Sequence, residues 1–535
     1  MLRINELRLP VNHTSEDLSN KISKIIGRGI SYEYNIHKRS LDARKKPDIF
    51  YCYTIDIFSD REDLILKRNP GIIKTDIKKY VFPFCDISVS DDKRPIIIGF
   101  GPAGMFCALY LARAGLRPVV YERGYDADNR IKAVNQFWNE GKLDPVSNVQ
   151  FGEGGAGTFS DGKLNTQVKD RNGMMRAVLN DLVTHGADKD ILTDFHPHVG
   201  TDVLVRIVKG IRNEIISLGG EVHFRSLLDG LYISDNTVNA ISINGNMIDS
   251  DSVVLSVGHS ARDTFIKLKE YGMKLEPKGF AVGLRISHKC SVINRYVYGS
   301  DYDDKLKNES YKLTYICQDG RGVYSFCMCP GGYVVNASSS DGMLAVNGMS
   351  YSGRNSFRSN SAIVVTVEPG DYMRDDDVLN GMYFQQDIEK KAYYAGHGCI
   401  PAQYYSEYKN DGTFDKISQT EESDFDCVKG CVKHADIRDI LPDHIRKDII
   451  EGIDHFDSII PGFASDDATL YAVESRTSSP IRMLRGHDGQ SSINKLYVCG
   501  EGAGYAGGIM SAATDGIRTA EYVAGSIVSN NHINR

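Results

Sequence analysis

The chain has 535 residues, of which 41% are hydrophobic and 25% charged, the balance of an ordinary soluble globular protein. A chain of this length is too long to fold around one hydrophobic core, and at about 150 residues per domain it predicts about two to four domains. The formal net charge of −7 argues against a general nucleic-acid-binding surface. The first residues lack the apolar core of a signal peptide, and no apolar run approaches the roughly 18 residues of a membrane span. We therefore expect a cytoplasmic protein without a membrane segment.

Residues 1–90 are predicted to form a small α+β domain. The stretches "RINELRLPV" and "DIFYCYTIDIF" have the alternation of strands, and "SEDLSNKISKIIG" between them has helical periodicity and capping residues. The segment "HKRSLDARKK" carries five cations: Lys38, Arg39, Arg44, Lys45 and Lys46. We interpret this segment as a solvated loop before a strand, with binding to RNA or an acidic partner as the alternative.

The stretch "PIIIGFGPAG" predicts a buried strand that runs into a glycine turn at Gly99, Gly101 and Gly104, and "MFCALYLARAG" after it predicts a helix. In such a unit, the second glycine lets the backbone approach a pyrophosphate, the third lets helix and strand pack closely, and the helix N-terminus attracts the anion. The next strand ends in Glu122, where an acid accepts hydrogen bonds from a ribose. The sequence therefore predicts a dinucleotide site, without distinguishing FAD from NAD.

Residues 91–264 are predicted to be the first part of this cofactor domain. An amphipathic helix, a strand and several short strands with turns at Asp235, Asn236 and Asn244 lead to "SVVLSVG", which ends at Gly258. A glycine there lets the backbone pass close to a cofactor. Residues 265–462 are interpreted as an inserted mixed α+β domain for substrate, and residues 463–535 as the return of the chain to the cofactor domain.

The C-terminal stretch "KLYVCGEGAGYAGGIMSAATDG" is again a strand, a glycine turn and a helix. Its acid, Glu501, follows Gly500 at the strand end, where a carboxylate can accept from the hydroxyls of a ribityl chain. The helix that opens at Gly508 and Ile509 directs its positive dipole end toward negative charge near a flavin N1 and O2. NAD has no ribityl chain, so one ligand that spans both turns is explained as FAD.

The pairing of "GFGPAG" and "ERG" with a distant "CGEGAGYAGGIMSAATDG" resembles Rossmann flavoproteins of the glutathione-reductase type. More closely, the chain resembles the bacterial FAD-dependent, or NAD- and FAD-utilising, dehydrogenases, through "FGEGGAGTFSDGKL", "HPHVGTD", "LSVGHSARD", "FCMCPGGYVVNASS" and "VESRTSSPIR". The resemblance implies an α/β Rossmann-type flavoprotein in which Gly99, Gly101 and Gly104 contact the pyrophosphate, Glu122 the adenosine ribose and Arg123 the adenine. It also implies a flavin-side loop lined by Gly154, Gly155, Ala156, Gly157 and Ser160.

Two side chains are the candidates for chemistry. Arg476 can clamp a substrate carboxylate, with a structural pair to Glu474 or another acid as the alternative. Cys329 can act as a thiol near the flavin, with ordinary packing as the alternative. Alternate residues of a strand lie on one face, so Cys327 and Cys329 are expected to share it. His196, His198 and His259 are further candidates for proton transfer.

The eleven cysteines are spread irregularly, which favours reduced thiols over a disulfide framework. The close pairs, Cys327 with Cys329 and Cys427 with Cys431, have no further ligands at zinc spacing, so no metal site is predicted.

The sequence thus predicts an FAD-dependent oxidoreductase that transfers hydride between a donor such as NAD(P)H and a small organic substrate. With one Rossmann fingerprint, NAD(P)H would have to visit the flavin face transiently. The alternative is a protein whose FAD is structural or sensing and whose basic N-terminal segment binds RNA or a protein partner. No oligomeric state is indicated.

Overall fold

A computed structural model of the chain describes residues 1–46, 48–165, 170, 172–300, 302, 306–410 and 425–533. Residues 530–533 are described by their backbone alone. The N-terminal unit folds as a four-stranded sheet of order β2-β3-β1-β4 with two helices. Its elements are β1 (Leu2–Pro10), α1 (Ser15–Ile26), β2 (Glu33–Lys45), β3 (Asp48–Phe58), α2 (Glu62–Arg68) and β4 (Ile73–Lys74). Helix α1 begins with a capping box between Thr14 and Asp17 and buries Leu18, Ile22 and Ile26 on the sheet.

The basic segment lies within β2, so the prediction of a solvated loop is wrong. Its backbone pairs with β3 on one side, and on the other Arg39 exchanges two backbone hydrogen bonds with residues 193 and 195. Four of its five cations are engaged within the chain, and one of them, Lys38, places its Nζ 3.9 Å from the ring centroid of Phe195. The Arg39 guanidinium contacts Asp194 at 2.6 Å and Asp190 at 3.1 Å, Arg44 contacts Asp42 at 2.7 Å, and Lys46 donates to a backbone carbonyl.

The second unit carries the predicted strand, turn and helix. Its elements are β5 (Ile96–Ile98), α3 (Pro102–Arg113), β6 (Val119–Tyr121), α4 (Ala127–Glu140), α5 (Met174–Thr184), α6 (Thr201–Ser217), β7 (Glu221–His223), β8 (Leu228–Ser234), β9 (Thr237–Ile243), β10 (Asn246–Asp249), β11 (Val253–Leu255) and α7 (Arg262–Glu270). The turns of the antiparallel sheet β10-β9-β8 lie at residues 235–236 and 244–245, all with positive φ, as the Asp-Asn and Asn-Gly pairs predict.

The remaining elements build a second layer and then return to the first. They are β12 (Leu275–Pro277), β13 (Phe280–Lys289), α8 (Cys290–Tyr298), β14 (Thr314–Ile316), β15 (Gly322–Cys329), β16 (Tyr333–Asn336), β17 (Val346–Met349), β18 (Arg358–Val367), α9 (Pro369–Tyr372), α10 (Asn380–Ala395), β19 (Ile400–Tyr404), α11 (Tyr405–Lys409), β20 (Val428–Lys429), β21 (Val432–His434), α12 (Asp443–Ile459), β22 (Thr469–Glu474), β23 (Ile481–Met483), β24 (Leu496–Val498) and α13 (Ile509–Ile533).

A five-stranded parallel sheet, of order β24-β11-β5-β6-β7, forms the centre of the cofactor domain. Its outer strand β24 comes from the far end of the chain, so the predicted return to this domain places a C-terminal strand beside β11. Helices α3 and α13 cross closely because residue 516 is glycine: a Cβ there would lie 2.1 Å from the carbonyl oxygen of Ala103. The α/β Rossmann-type fold predicted from the sequence is confirmed.

The inserted unit is built on a seven-stranded mixed sheet of order β14-β15-β18-β13-β22-β19-β21. Its core packs α12 and α10 against apolar side chains such as Val323, Ile363 and Leu470. Strand β22 belongs to this sheet, so the sheet of the inserted unit continues to residue 474. The domain boundary at residue 462 stays a prediction of the sequence.

One cysteine pair departs from the prediction of reduced thiols. Cys399 and Cys431 are joined in a disulfide that links residues just before β19 and β21, two neighbouring parallel strands. The pairing follows from strand neighbours that lie far apart along the chain, which spacing alone does not reveal. Among the described residues, none of the helices combines the length and hydrophobicity needed to cross a bilayer.

Candidate functional site

One cavity, of about 420 Å³, lies where the two glycine turns meet, at the carboxyl ends of the parallel strands. In open α/β sheets, ligands bind at this edge. Twelve of the predicted cofactor residues line it: Gly99, Gly101, Glu122, Arg123, Gly155, Ala156, Gly157, Ser160, Gly258, Glu501, Gly508 and Ile509. The cavity therefore brings together segments that lie some 400 residues apart in the sequence, from Gly99 to Ile509.

The first turn depends on glycine for two different reasons. Gly99 has φ +96°, and a Cβ on it would lie 2.9 Å from the Ser256 carbonyl oxygen. A Cβ on Gly104 would lie 2.0 Å from the Gly99 carbonyl oxygen, so this glycine lets α3 pack against the turn. Gly101, in contrast, keeps the cavity wall at the N-terminus of α3 free of a side chain.

Glu122 ties three backbone segments together at the cavity edge. Its carboxylate accepts from the N–H groups of Phe100 at 2.8 Å, Gly124 at 2.9 Å and Gly152 at 2.9 Å, and the residue is 5% exposed. A carboxylate has about four lone-pair positions, so one is left for a ligand hydroxyl. This bracing role adds to the predicted ribose contact, because it fixes the shape of the first turn.

The neighbouring Arg123 is held in place by an ion pair and a ring. Its guanidinium contacts Asp263 at 2.5 Å and lies 4.4 Å from the ring centroid of Phe151. Arg123 thereby lines the cavity with its position fixed on two sides.

The "GEGGAG" loop is organised by a residue that sequence reasoning missed. Arg130, on α4, is fully buried and donates to five backbone carbonyls, those of residues 148, 149, 152, 153 and 155, at 2.7–3.3 Å. Burial lowers the pKa of Arg130 to about 10, although Glu122 and Glu153 oppose the shift. A lone arginine on an amphipathic helix carries no sequence signal for this role.

The second turn presents a carboxylate and a histidine to the cavity. Glu501 accepts from the His259 backbone N–H at 3.0 Å, and its other oxygen lies 2.6 Å from His259 Nδ1. Burial alone would raise the pKa of Glu501, but His259, helped by Lys278, outweighs it and holds the pKa below its ordinary value. Gly508 is exposed at the start of α13, and a Cβ there would meet nothing within 4 Å, so this wall stays open.

Two buried polar atoms on the cavity wall fit a bound cofactor. His259 Nε2 and Arg123 Nε have no hydrogen-bond partner among the described residues, although a buried polar atom normally has one. A ligand with hydroxyl and ring-nitrogen groups would satisfy them. The cavity thus combines two glycine turns, two carboxylates and two polar atoms without a protein partner, and this set of groups fits FAD.

Arg476 lines the cavity but is committed to the protein. Its guanidinium binds both oxygens of Glu389 at 2.9 Å and also donates to Ser260 and Ser339. Arg262 binds the same carboxylate at 2.8 and 2.9 Å, so Glu389, which is fully buried, sits between two guanidinium groups. These contacts correspond to the alternative interpretation of Arg476, a structural ion pair with an acid. The acid is Glu389, not Glu474.

A set of polar side chains, Asp161, Lys163, Cys327 and Asn347, forms what we call the polar wall of the cavity. Cys327 lines it, whereas the predicted Cys329 is fully buried and lies behind it. The expectation that the two cysteines share a face is wrong, because a bulge interrupts β15 between Phe326 and Cys329. His198 lies 3.7 Å from Asp161, and burial together with Arg354 lowers its pKa to about 4.

Three predicted cofactor residues lie behind the cavity surface and serve packing. Gly104 admits the close contact described above, and a Cβ on Gly154 would lie 2.1 Å from Thr158 Oγ1. Gly500 has φ +84°, and its N–H donates to Asp515 at 2.8 Å. Of the other histidine candidates, His196 contacts Asn165 at 2.9 Å.

The fold and this cavity define the class of the protein, a Rossmann-type flavoprotein fold with a second domain inserted after α7. Residues 279–477 match the family described as "FAD-dependent protein, C-terminal domain-like", and residues 1–58 match a domain of unknown function, DUF8436. Over 532 residues the chain is 42% identical to an uncharacterized protein of Clostridium beijerinckii, and the match covers 98% of each. The chain therefore belongs to the same family as this clostridial protein.

Solved structures similar to the chain include enzymes of several activities. Glycerol-3-phosphate dehydrogenase from Bacillus halodurans, complexed with FAD, is 10% identical, with 82% of this chain and 66% of that chain covered and a TM-score of 0.37. L-proline dehydrogenase from P. horikoshii is 12% identical, with 81% and 94% covered and a TM-score of 0.34. The fold of the chain is defined by its own strand order and helices.

Proposed function

We propose that this chain is an FAD-dependent oxidoreductase that transfers hydride between a donor, NAD(P)H, and a small organic substrate. The observation that carries the proposal is that two glycine turns, at residues 99–104 and 500–509, line one cavity. One elongated ligand with a diphosphate and a ribityl chain accounts for both turns. The pairing also supports a place among Rossmann flavoproteins of the glutathione-reductase type.

The residues of the cavity suggest an order of contacts for FAD. Gly99 and Gly101, with Gly155 across from them, would hold the diphosphate at the start of α3. Glu122 and Arg123 would meet the adenosine ribose and adenine, and Glu501 the ribityl hydroxyls. FAD would supply the hydride chemistry, and the positive end of the α13 dipole would favour negative charge near its N1 and O2.

The protein's own part in the reaction is to orient the reactants and to exclude water. The polar wall offers Lys163, whose ammonium contacts Asp161 at 3.0 Å and whose side chain is 29% exposed, as a cation for an anionic group of the substrate. Arg476 would support the wall of the cavity. Because Glu389 holds its guanidinium, Arg476 would be less free to bind a substrate carboxylate. One G-x-G-x-x-G unit in the chain is consistent with a nicotinamide that visits the flavin transiently, and a cytoplasmic supply of NAD(P)H fits this proposal.

The absorption spectrum of the purified protein tests the cofactor, before and after denaturation. Flavin bands that leave with the small-molecule fraction would support non-covalently bound FAD. A protein that neither retains nor takes up FAD contradicts the proposal. A Gly508→Leu variant places a side chain in the open wall and should bind less FAD, whereas Gly71→Leu, at an exposed position with nothing within 4 Å of a Cβ, should bind as the parent does.

Anaerobic mixing with NADH and with NADPH tests the reaction. Bleaching of the flavin band within seconds would identify the donor, and retained FAD without bleaching by either nucleotide would contradict the donor assignment. The alternative, RNA binding by the basic segment, has no support in the contacts of Arg39, Arg44 and Lys46, which are engaged inside the chain.

A further inference from the structure

The polar wall contains a cysteine in an unusual backbone conformation. Cys327 has φ +44°, a region that side chains other than glycine rarely adopt, and it lies in the bulge of β15. Regular strand geometry would place Cys327 and Cys329 on one face. The bulge turns Cys327 into the cavity and leaves Cys329 in the core, with no exposed surface.

Three neighbours hold this bulge through its carbonyl oxygens. Arg285 Nη1 donates to the Cys327 carbonyl at 3.2 Å, and Cys329 Sγ lies 3.3 Å from the same oxygen. Lys163 donates to the carbonyl of Met328. A strained backbone persists only where its surroundings fix it, and such positions cluster at functional sites.

The charges around the Cys327 sulfur favour its anionic form. Lys163 and Arg285 face it, and the acids that pair with them offset only part of their charge, because Asp161 is shared between Lys163 at 3.0 Å and Arg354 at 2.5 Å. The second acid, Glu474, contacts Arg285 at 2.9 Å.

The two thiols are shifted in opposite directions. The Cys329 thiol has two possible acceptors on Cys327, the carbonyl oxygen and the sulfur, and donation to the sulfur lowers the pKa of the Cys327 thiol. Lys163 and Arg285 add to the effect, while burial and Asp161 oppose it. The net pKa of Cys327 lies well below its ordinary value. Burial raises the pKa of Cys329, so this residue remains the proton donor of the pair.

We propose that Cys327 is a nucleophilic thiolate on the cavity wall and that the cavity binds a soft electrophile, a molecule with an electron-poor carbon and a leaving group, beside it. In the step itself, the sulfur forms an S–C bond as the bond from carbon to the leaving group breaks, and the leaving group departs with the electron pair. This inference rests on the proposed function, since the substrate of the flavin would occupy the same cavity.

Alkylation of the purified holoprotein by iodoacetamide tests the inference, with each cysteine followed by peptide mass spectrometry. An ordinary thiol has a pKa of about 8.5, so its rate falls about tenfold for each pH unit below that value. The exposed Cys85 provides this profile within the same sample. We expect the Cys327 rate to change less than twofold between pH 6.5 and 8.5, while the Cys85 rate rises by more than tenfold.

The pH profile is the deciding measurement because its shape does not depend on how easily the reagent enters the cavity. A thiolate of low pKa is also a weaker nucleophile, so a comparison of absolute rates would decide less. A Cys327 rate that rises in parallel with that of Cys85, or no alkylation of Cys327 at any pH, would overturn the inference. Flavin absorbance, read in the same samples, reports separately on the proposed function.

Variants locate the cause of the shift. With the alkylation profile extended down to pH 4, Lys163→Met should move the midpoint of the Cys327 profile upward by about one pH unit, because an opposite charge nearby stabilises the anion. Lys142→Met, at an exposed lysine paired with Glu140, should leave the profile unchanged. Cys329→Ala, which removes the thiol donor, should also raise the midpoint, whereas Cys329→Ser should raise it less. A midpoint that stays in place in both Lys163→Met and Cys329→Ala would contradict the inference.

Discussion

Replacing Arg130 with lysine tests whether one buried guanidinium holds the glycine loop in shape. The arginine makes hydrogen bonds to five buried carbonyls. A lysine ammonium has three N–H donors, so at least two of these carbonyls lose their partner. At about 1 kcal/mol for each lost hydrogen bond, we expect the variant to lose about 2 kcal/mol of folding free energy.

Thermal unfolding of the holoprotein measures this loss. For a domain of roughly 200 residues, a loss of about 2 kcal/mol corresponds to a fall in Tm of about 4–8 °C. Hydrogen exchange should show faster exchange in residues 152–157, and FAD should bind more weakly because the loop forms part of the cavity wall. Arg212→Lys is the matched control: Arg212 makes one hydrogen bond to the Glu153 carboxylate of the same loop, at 2.9 Å, and lies over the ring of Phe224. A lysine keeps the positive charge beside Glu153, so the control should lose less stability than Arg130→Lys. A Tm for Arg130→Lys within 1 °C of the parent, with unchanged exchange, would refute the reasoning.

Three further variants address other parts of the cavity. Gly155→Ala adds a Cβ 3.0 Å from the Gly101 Cα and should weaken FAD binding at least tenfold in a fluorescence titration, or about 1.4 kcal/mol, whereas Gly141→Ala, also at positive φ but in open space, should bind FAD normally. Glu389→Gln leaves two buried guanidinium groups without their counter-charge and should cost about 3–5 kcal/mol in urea unfolding; a loss under about 1 kcal/mol would contradict this account. The pKa of Glu501 is depressed in the folded protein, so its contribution to stability is present above its unfolded pKa and is lost as the pH falls through the folded pKa. Glu501→Gln should therefore flatten the stability profile in acid, and a profile parallel to that of the parent would show that the pair with His259 contributes nothing.

The sequence predicts the parts of the site that depend on backbone shape. Gly99 and Gly101 are recognisable because a buried strand, a turn without side chains and a helix follow one another over a few residues. Glu501 is recognisable for the same reason, at the end of a second such strand. These signals are local, and the cavity shows the two turns as neighbours on one wall.

The parts that the sequence does not predict depend on contacts between distant residues. The partners of Arg130 and Arg476 are set by how α4 and α10 pack, and neither arginine has a local pattern that names its acceptor. A one-residue bulge decides that Cys327, and not Cys329, reaches the cavity, while strand alternation predicts one face for both residues. The basic residues of β2 are similar: their charges suggest a solvated surface, but the strand they form docks against residues 193–195.

The order of strands in the parallel sheet has a consequence for how the protein matures during translation. Strand β5 leaves the ribosome early, yet one of its neighbours, β11, is made about 150 residues later, and β24, which flanks β11, comes after the whole inserted unit. Contacts between residues so far apart along the chain form slowly, so one apolar edge of β5 stays unpaired until β11 has been made. A nascent chain that ends before β24 would therefore expose the unpaired edge of β11 and lack the second glycine turn, so the parallel sheet and the cavity are completed only when the last segment has been made.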